Sequence, residues 1–311
     1  MFNKVLGVRV IERLYVELLF KCNFKCPNCY HGKRLEYDDR FSPKEVVSLA
    51  RNLQMRYGLR GVTLLGGEPF LYPKLTDMLG VLKGLDLHLV IITNGYRIAS
   101  RLSAILPFVD ELRVSVDGLE TNHDRLRRPG SFREAIRTLA AAKQKGLPTS
   151  VTMSVDKTNV GDVLPLARVL AEYGIRKLDV HLVRSVDANQ QNQSAANSLA
   201  LFEDLDEQIR SQASGLPVPT LFEDEILHPS CLETKKRRLK EERVLDRINL
   251  QANGEAYLSC SYTGTGLHSF RYDKVCRRWR FLNDKNREIN LLGISLETNQ
   301  KGGEMCQSAI C

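Results

Sequence analysis

Six short apolar stretches, at 15–20, 61–65, 88–93, 111–116, 149–155 and 177–182, alternate with segments of helix length. This alternation leaves few choices: strands separated by helices pair in parallel, and the helices cover the sheet. The helix signals are specific. Ser42, Pro43 and Glu45 supply an N-cap, a first-turn proline and a capping box. The apolar spacing over 131–145 and 162–173 stops at Gly146 and Gly174. The expected fold is α/β, with too few units for a closed eight-stranded barrel, so an open or partial sheet. Ligands of such sheets gather at the carboxyl ends of the strands, where Gly66, Asn94, Ser115 and Asp117 fall.

Just past the first stretch, Cys22, Cys26 and Cys29 form a C-x3-C-x2-C run. Three thiolates at this spacing can hold three irons of a cubane, whose four irons ordinarily take four thiolates. One iron then stays open to a substrate or cosubstrate. A zinc site with His31 as fourth ligand is the competing reading, although structural zinc wants four closed ligands, usually from paired cysteine elements. A disulfide framework does not suit a chain of this size without an export signal.

Gly66-Gly67-Glu68-Pro69 follows the second stretch. Glycines past a strand let backbone approach a ligand closely, and a carboxylate beside exposed carbonyls can accept hydrogen bonds from an ammonium group. A plain strand-to-helix turn is the alternative. The cysteine run and this turn, together with Thr93-Asn94-Gly95, Ser115-Val116-Asp117-Gly118, His123-Asp124-Arg125-Leu126-Arg127 and Gly130-Ser131-Phe132, resemble the radical S-adenosylmethionine (SAM) superfamily over about residues 12–185. They look like the branch whose members carry extra clusters in a C-terminal SPASM or Twitch domain.

The resemblance implies a partial (β/α)6 TIM-like barrel over 1–190, the radical SAM core, and a small C-terminal SPASM/Twitch-like auxiliary [4Fe-4S] domain with a β-hairpin over 191–311. It implies that Cys22, Cys26 and Cys29 bind the radical-generating [4Fe-4S] cluster, whose open iron takes the amino and carboxylate groups of SAM. Gly66, Gly67, Glu68 and Pro69 would hold the methionine amino group. Ser115 and Asp117 match positions lining the ribose and carboxylate, and Arg127 matches an arginine near the cofactor. One departure stands out: the family places an aromatic residue before the third cysteine, and here it is Asn28, leaving Phe24 or Tyr30 to cover the adenine.

The composition shifts to Asn, Gln and Ser over 185–198, which reads as a linker or exposed loop. A helix is expected over 199–212. Beyond it stand Cys231, Cys260, Cys276, Cys306 and Cys311, and a hairpin over 247–258 turned at Asn253-Gly254. A cysteine just past a hairpin is similar to the SPASM/Twitch arrangement, although the spacing from Gly254 to Cys260 is one residue longer than the family's. Five cysteines exceed one auxiliary [4Fe-4S] cluster by one. The first ligand set is Cys231, Cys260, Cys306 and Cys311; another uses Cys276 and frees Cys231. The fifth thiol, Cys276 or Cys231, is a candidate hydrogen-atom donor. Unrelated buried cysteines are the plainer reading.

At 311 residues, 43% hydrophobic and 26% charged, the chain has ordinary globular composition. It has neither a membrane-length apolar run nor a signal-peptide core, since Lys4, Arg9, Glu12 and Arg13 interrupt its start. A reducing cytoplasm is expected. The net charge of +8 favours anionic partners. The basic run 235–240 reads as a solvated helix face, and no arginine–aromatic interleaving argues for nucleic acid. What the family implies is reductive cleavage of SAM to a 5′-deoxyadenosyl radical, fed by an electron donor such as flavodoxin or ferredoxin, and hydrogen abstraction from a C–H bond. The expected substrate is a ribosomal peptide or other natural product, undergoing epimerisation, oxidation or cross-linking. A sugar or aminocyclitol dehydrogenase or epimerase is the alternative, and a non-catalytic iron–sulfur or zinc sensor or scaffold the rival of another class. Only 21 residues precede Cys22, so a leader-binding module is expected to be absent and a separate peptide-recognition protein could replace it.

Overall fold

A computed structural model describes residues 2, 6–183, 199–212, 215–222, 234–258 and 270–282. Seven strands, β1 (Val10–Glu17), β2 (Gly61–Leu65), β3 (His88–Thr93), β4 (Glu111–Ser115), β5 (Thr149–Val155), β6 (Leu178–Leu182) and β7 (Thr220–Phe222), lie side by side in chain order, each parallel to the next. On the other side of β1 runs β8 (Val244–Leu250), also parallel. Then β9 (Glu255–Tyr257), β10 (Phe270–Asp273) and β11 (Arg278–Phe281) continue the sheet antiparallel. The order is linear from β11 to β7, so the sheet stays open. The α/β partial barrel is therefore as expected, and the hairpin turned at Asn253-Gly254 is present, with Gly254 at φ +90°.

The first strand lies earlier than its apolar stretch suggested. Val10–Glu17 has partners on both sides, Val62 and Ile248 flanking Leu14, while Leu19 has left the sheet to bridge Arg40. Apolar content alone placed the strand at 15–20. Pairing on two sides is what holds the mixed segment at 10–14.

Helices α1 (Pro43–Tyr57), α2 (Leu75–Lys83), α3 (Leu102–Ile105), α4 (Glu120–Leu126), α5 (Ser131–Gln144) and α6 (Val163–Leu170) fill the crossovers, and α7 (Leu199–Gln212) precedes β7. The capping box of α1 forms as expected: Glu45 N donates to Ser42 Oγ at 3.3 Å, and Ser42 N donates to Glu45 Oε2 at 2.6 Å. Leu14, Val16, Val62, Leu64, Leu89 and Ile91 point from one sheet face into a core shared with Leu49, Leu53 and Leu79 of the helices. Burying each such side chain contributes about 1.5–3 kcal/mol.

The opposite sheet face is polar. Arg113 of β4 reaches Asp179 of β6 at 3.6 Å and bonds Glu111 and Ser150. In the partial barrel this face lines the inside. Among the described residues, no helix is long and apolar enough to cross a membrane.

Candidate active site

The cysteine run occupies the loop leaving β1, and the Gly66-Gly67 turn leaving β2 holds it in place. Gly67 N donates to Leu19 O at 2.8 Å and Glu68 N to Lys21 O at 3.0 Å. Gly66 sits at φ +137°, and a Cβ on Gly67 would lie 2.2 Å from Lys21 O. The backbone that needs the missing side chains is thus the chain's own, just before Cys22. A ligand-approach reading of the two glycines did not foresee that contact.

Inside the loop, Cys29 N donates to Cys26 O at 3.1 Å and Phe24 N to Cys22 Sγ at 3.3 Å. Phe24 is buried and packs edge-on against Tyr96 at 5.3 Å between ring centres. The three thiols are half-buried and unpaired. Burial pushes Cys22 up to about 12 and Cys26 up to about 11, with further increments from neighbouring thiols, and raises Cys29 as well.

Glu68 is buried, and burial raises its carboxyl. Its Oε1 accepts from Phe70 N at 3.0 Å and Thr93 Oγ1 at 2.8 Å, and its Oε2 accepts from Asn94 N at 2.9 Å. Asn94 in turn donates through Nδ2 to Asn23 Oδ1 at 2.8 Å and reaches Cys22 Sγ at 3.9 Å. One chain of bonds therefore links the β2 turn, the end of β3 and the first cysteine.

Asp117, two residues past β4, accepts from Arg127 Nε at 2.6 Å and from Ser154 N at 2.9 Å. Its own N–H donates to His123 Nδ1 at 3.0 Å, and its carbonyl accepts from Asn159 Nδ2 at 3.1 Å. Burial pulls His123 down to about 4, so the ring is a neutral acceptor. The Arg127 charge lowers Cys26 and Cys29, while Asp117 raises Cys26. Ser115 ends β4, buried.

The structure thus brings together Cys22, Cys26, Cys29, Gly66, Gly67, Glu68, Asp117 and Arg127. It does not bring Cys276 to them. That thiol is exposed in the turn between β10 and β11, where Asp273 Oδ1 accepts from Val275 N and Cys276 N, and β10 stands three strands from β1. Cys231, Cys260, Cys306 and Cys311 lie outside the described residues. Asn28 donates to Asp156 Oδ2 at 3.0 Å, and Tyr30 donates to Glu17 Oε1 at 3.0 Å. Tyr96 and Arg128, which sequence reasoning passed over, form a platform with Phe24: the guanidinium lies 4.7 Å from the Tyr96 ring centre and 6.0 Å from that of Phe24. The only sequence signal for Tyr96 was its place directly after Asn94-Gly95.

A [4Fe-4S] cluster fits these residues. The loop offers three half-buried thiols, whereas a structural zinc takes four closed ligands. A cubane spreads its thiolates over separate irons, and N–H groups directed at the sulfurs suit charged ligands. Phe24 N donates to Cys22 Sγ at 3.3 Å. A bound metal also deprotonates a coordinating thiol outright, which burial here otherwise opposes.

The model of the Radical SAM superfamily matches residues 16–179. Among curated relatives, the sporulation killing factor maturation protein SkfB of Bacillus subtilis is 25% identical over 162 residues, covering 51% of this chain and 39% of that protein. The GTP 3′,8-cyclase of a Mycobacterium species is 29% identical over 175 residues, covering 53% and 50%. The chain thus spans half or less of these relatives' lengths. Among solved structures, Streptococcus suis SuiB bound to S-adenosylmethionine superposes with a TM-score of 0.70 at 17% identity, over 84% of this chain and 63% of that one. SuiB bound to its precursor peptide SuiA gives 0.67 at 15%, over 93% and 66%. At such identities the likeness establishes the fold.

Proposed function

The chain belongs to the radical SAM superfamily, its family model covering residues 16–179, and from that premise we propose that it cleaves SAM reductively and removes a hydrogen atom from a C–H bond of a ribosomal peptide or related natural product. The observation that carries this reading is the meeting of three thiols, the Gly66-Gly67-Glu68-Pro69 turn and the Asp117–Arg127 pair at the carboxyl ends of β1, β2 and β4. When bound, a [4Fe-4S] cluster supplies SAM with one electron and an open iron for its amino and carboxylate groups.

The chain's own residues do the rest. Cys22, Cys26 and Cys29 hold the cluster. The carbonyls of the Gly66–Pro69 turn take the methionine amino group, and the Glu68 side chain, occupied by three protein donors, keeps that turn in register with Asn94. Ser115 and Asp117 face the ribose and carboxylate, and Arg127, bonded to Asp117 Oδ2, keeps that carboxyl aimed. Phe24, Tyr96 and Arg128 cover the mouth and exclude water, which strengthens every polar contact inside.

The names of SkfB, a killing-factor maturation protein, and of SuiB bound to a precursor peptide support a peptide substrate. Residues 191–311 then form a SPASM/Twitch-like domain in which four of the five late cysteines hold an auxiliary cluster and the fifth is free. Cys231 is the better candidate for a hydrogen-atom donor, since Cys276 is exposed at a hairpin tip. The reducing equivalent comes from a low-potential protein of the flavodoxin or ferredoxin kind.

Anaerobically reconstituted protein given SAM and dithionite should release 5′-deoxyadenosine, and the joint change of Cys22, Cys26 and Cys29 to Ala should abolish the release. The same variant should retain about four irons if the auxiliary cluster exists. Unchanged release would refute the reading; an iron-free variant would remove the auxiliary cluster alone.

A further inference from the structure

A second polar cluster lies behind Cys29. Glu17 ends β1, Gln251 directly follows β8 beside it, and His31 stands two residues past Cys29. All three side chains are buried, at 3%, 0% and 3% exposure. Glu17 Oε2, both ring nitrogens of His31 and both amide atoms of Gln251 have no partner in hydrogen-bonding geometry among the described residues, although the Gly66 backbone lies close enough to offset part of the effect of burial on His31. They lie together: His31 Nδ1 is 3.8 Å from Glu17 Oε2, and the Gln251 amide, short of bonding geometry, is near enough to offset part of the rise that burial gives the Glu17 carboxyl. Tyr30, bonded to Glu17 Oε1 and stacked on His31 at 4.1 Å between ring centres, closes one wall, and Phe20 lies edge-on to the other side of His31.

Native proteins rarely leave five buried polar atoms unmet in one place, because each forfeits its hydration without return. The set contains obligatory donors, the amide NH2 and one imidazole N–H, as well as acceptors. A cation would satisfy only the acceptors. Water satisfies both, and a buried water typically makes about three such bonds.

We infer that Glu17, His31 and Gln251 enclose bound water that ties the C-terminal hairpin to the segment after Cys29, and thereby holds in place the turn around that cysteine, which Gly32 N closes on Cys29 O at 3.0 Å. Gln251 opens the turn between β8 and β9, with its N–H on Glu255 O. Arg34, in the same segment as His31, faces Glu255 at 4.0 Å, a second tie between the two parts. The surroundings of the ligand cysteines, their solvent exposure included, are among the levers that set a cluster's potential, so Gln251 is a positioning residue for the cluster. This inference rests on Cys29 being a cluster ligand, as proposed above.

The test uses the anaerobically reconstituted full chain and its Gln251→Leu and Gln251→Asn variants. The electron paramagnetic resonance signal that responds to SAM isolates the three-cysteine cluster from any other. Gln251→Leu should keep the parent's iron content yet shift both the g-values and the midpoint potential of that signal. Gln251→Asn, which keeps a donor and an acceptor and leaves room for another water, should return both toward the parent. A crystal structure should show ordered density within hydrogen-bond distance of Glu17 Oε2 and the Gln251 amide. An unshifted signal in Gln251→Leu, direct bonds among the three side chains with no water between them, or density that exchanges for rubidium would each overturn the inference. A parent chain that binds no iron would refute the proposed function instead, and the density in that metal-free protein would still decide whether water is there.

Discussion

Arg127 donates from Nε to Asp117 Oδ2 at 2.6 Å, with both side chains largely buried beside Cys26. A buried pair of this kind is costly to break by halves, because the survivor keeps its charge and loses its partner. Arg127→Met should destabilise the fold by about 3–5 kcal/mol, and the Asp117→Asn/Arg127→Met double variant should recover part of that loss, as read by urea unfolding. The two single variants should also move the cluster potential oppositely. Loss of the cation makes reduction harder, and loss of the carboxylate makes it easier.

Gly67→Ala tests the link between the two turns. A Cβ there would meet Lys21 O at 2.2 Å and Phe20 O at 2.3 Å, both backbone atoms that cannot step aside without moving the loop. The protein should still fold, since its core is remote, but iron bound after reconstitution should fall by about the four atoms of one cubane. Normal iron loading would show that the loop tolerates displacement.

Glu68→Ala removes an acceptor for Phe70 N, Thr93 Oγ1 and Asn94 N together. Hydrogen bonds to a charged group contribute about 1.5–3 kcal/mol each, so even one such contact passed on to the SAM site raises the SAM dissociation constant roughly tenfold to a hundredfold. Glu68→Gln should be no milder than a partial rescue, because its amide would point N–H at the Asn94 N–H. Calorimetric SAM binding and thermal melts measure both effects.

Stability should fall with rising pH through Glu17. Burial moves its carboxyl from 4.5 up to about 8, so the folded chain holds the proton more tightly than the unfolded one. The contribution is complete below the unfolded value and is lost progressively between 4.5 and about 8. At about 1.4 kcal/mol per unit the loss is of the order of a few kcal/mol, and Glu17→Gln should abolish it. Urea midpoints at about pH 5 and about pH 8 provide the comparison.

Much of the molecule was legible before any coordinates because the signals are local. The capping box at Ser42 and Glu45, the strands at 61–65, 88–93 and 149–155, the turn at Asn253-Gly254 and the thiols at 22, 26 and 29 each depend on neighbours a few residues away, where spacing and turn chemistry decide. The sequence by itself therefore determined an alternating α/β sheet with a three-thiol loop at its carboxyl edge. Only the tertiary structure decided that β8 would pair with β1, that the Gly66-Gly67 turn would be needed by the chain's own backbone, and that Arg127 would answer Asp117. Glu17 shows why. Nothing beside it in the chain marks it, and its burial against His31 and Gln251 exists only once two strands distant in sequence lie side by side, since pairing partners and desolvation are properties of the assembled sheet.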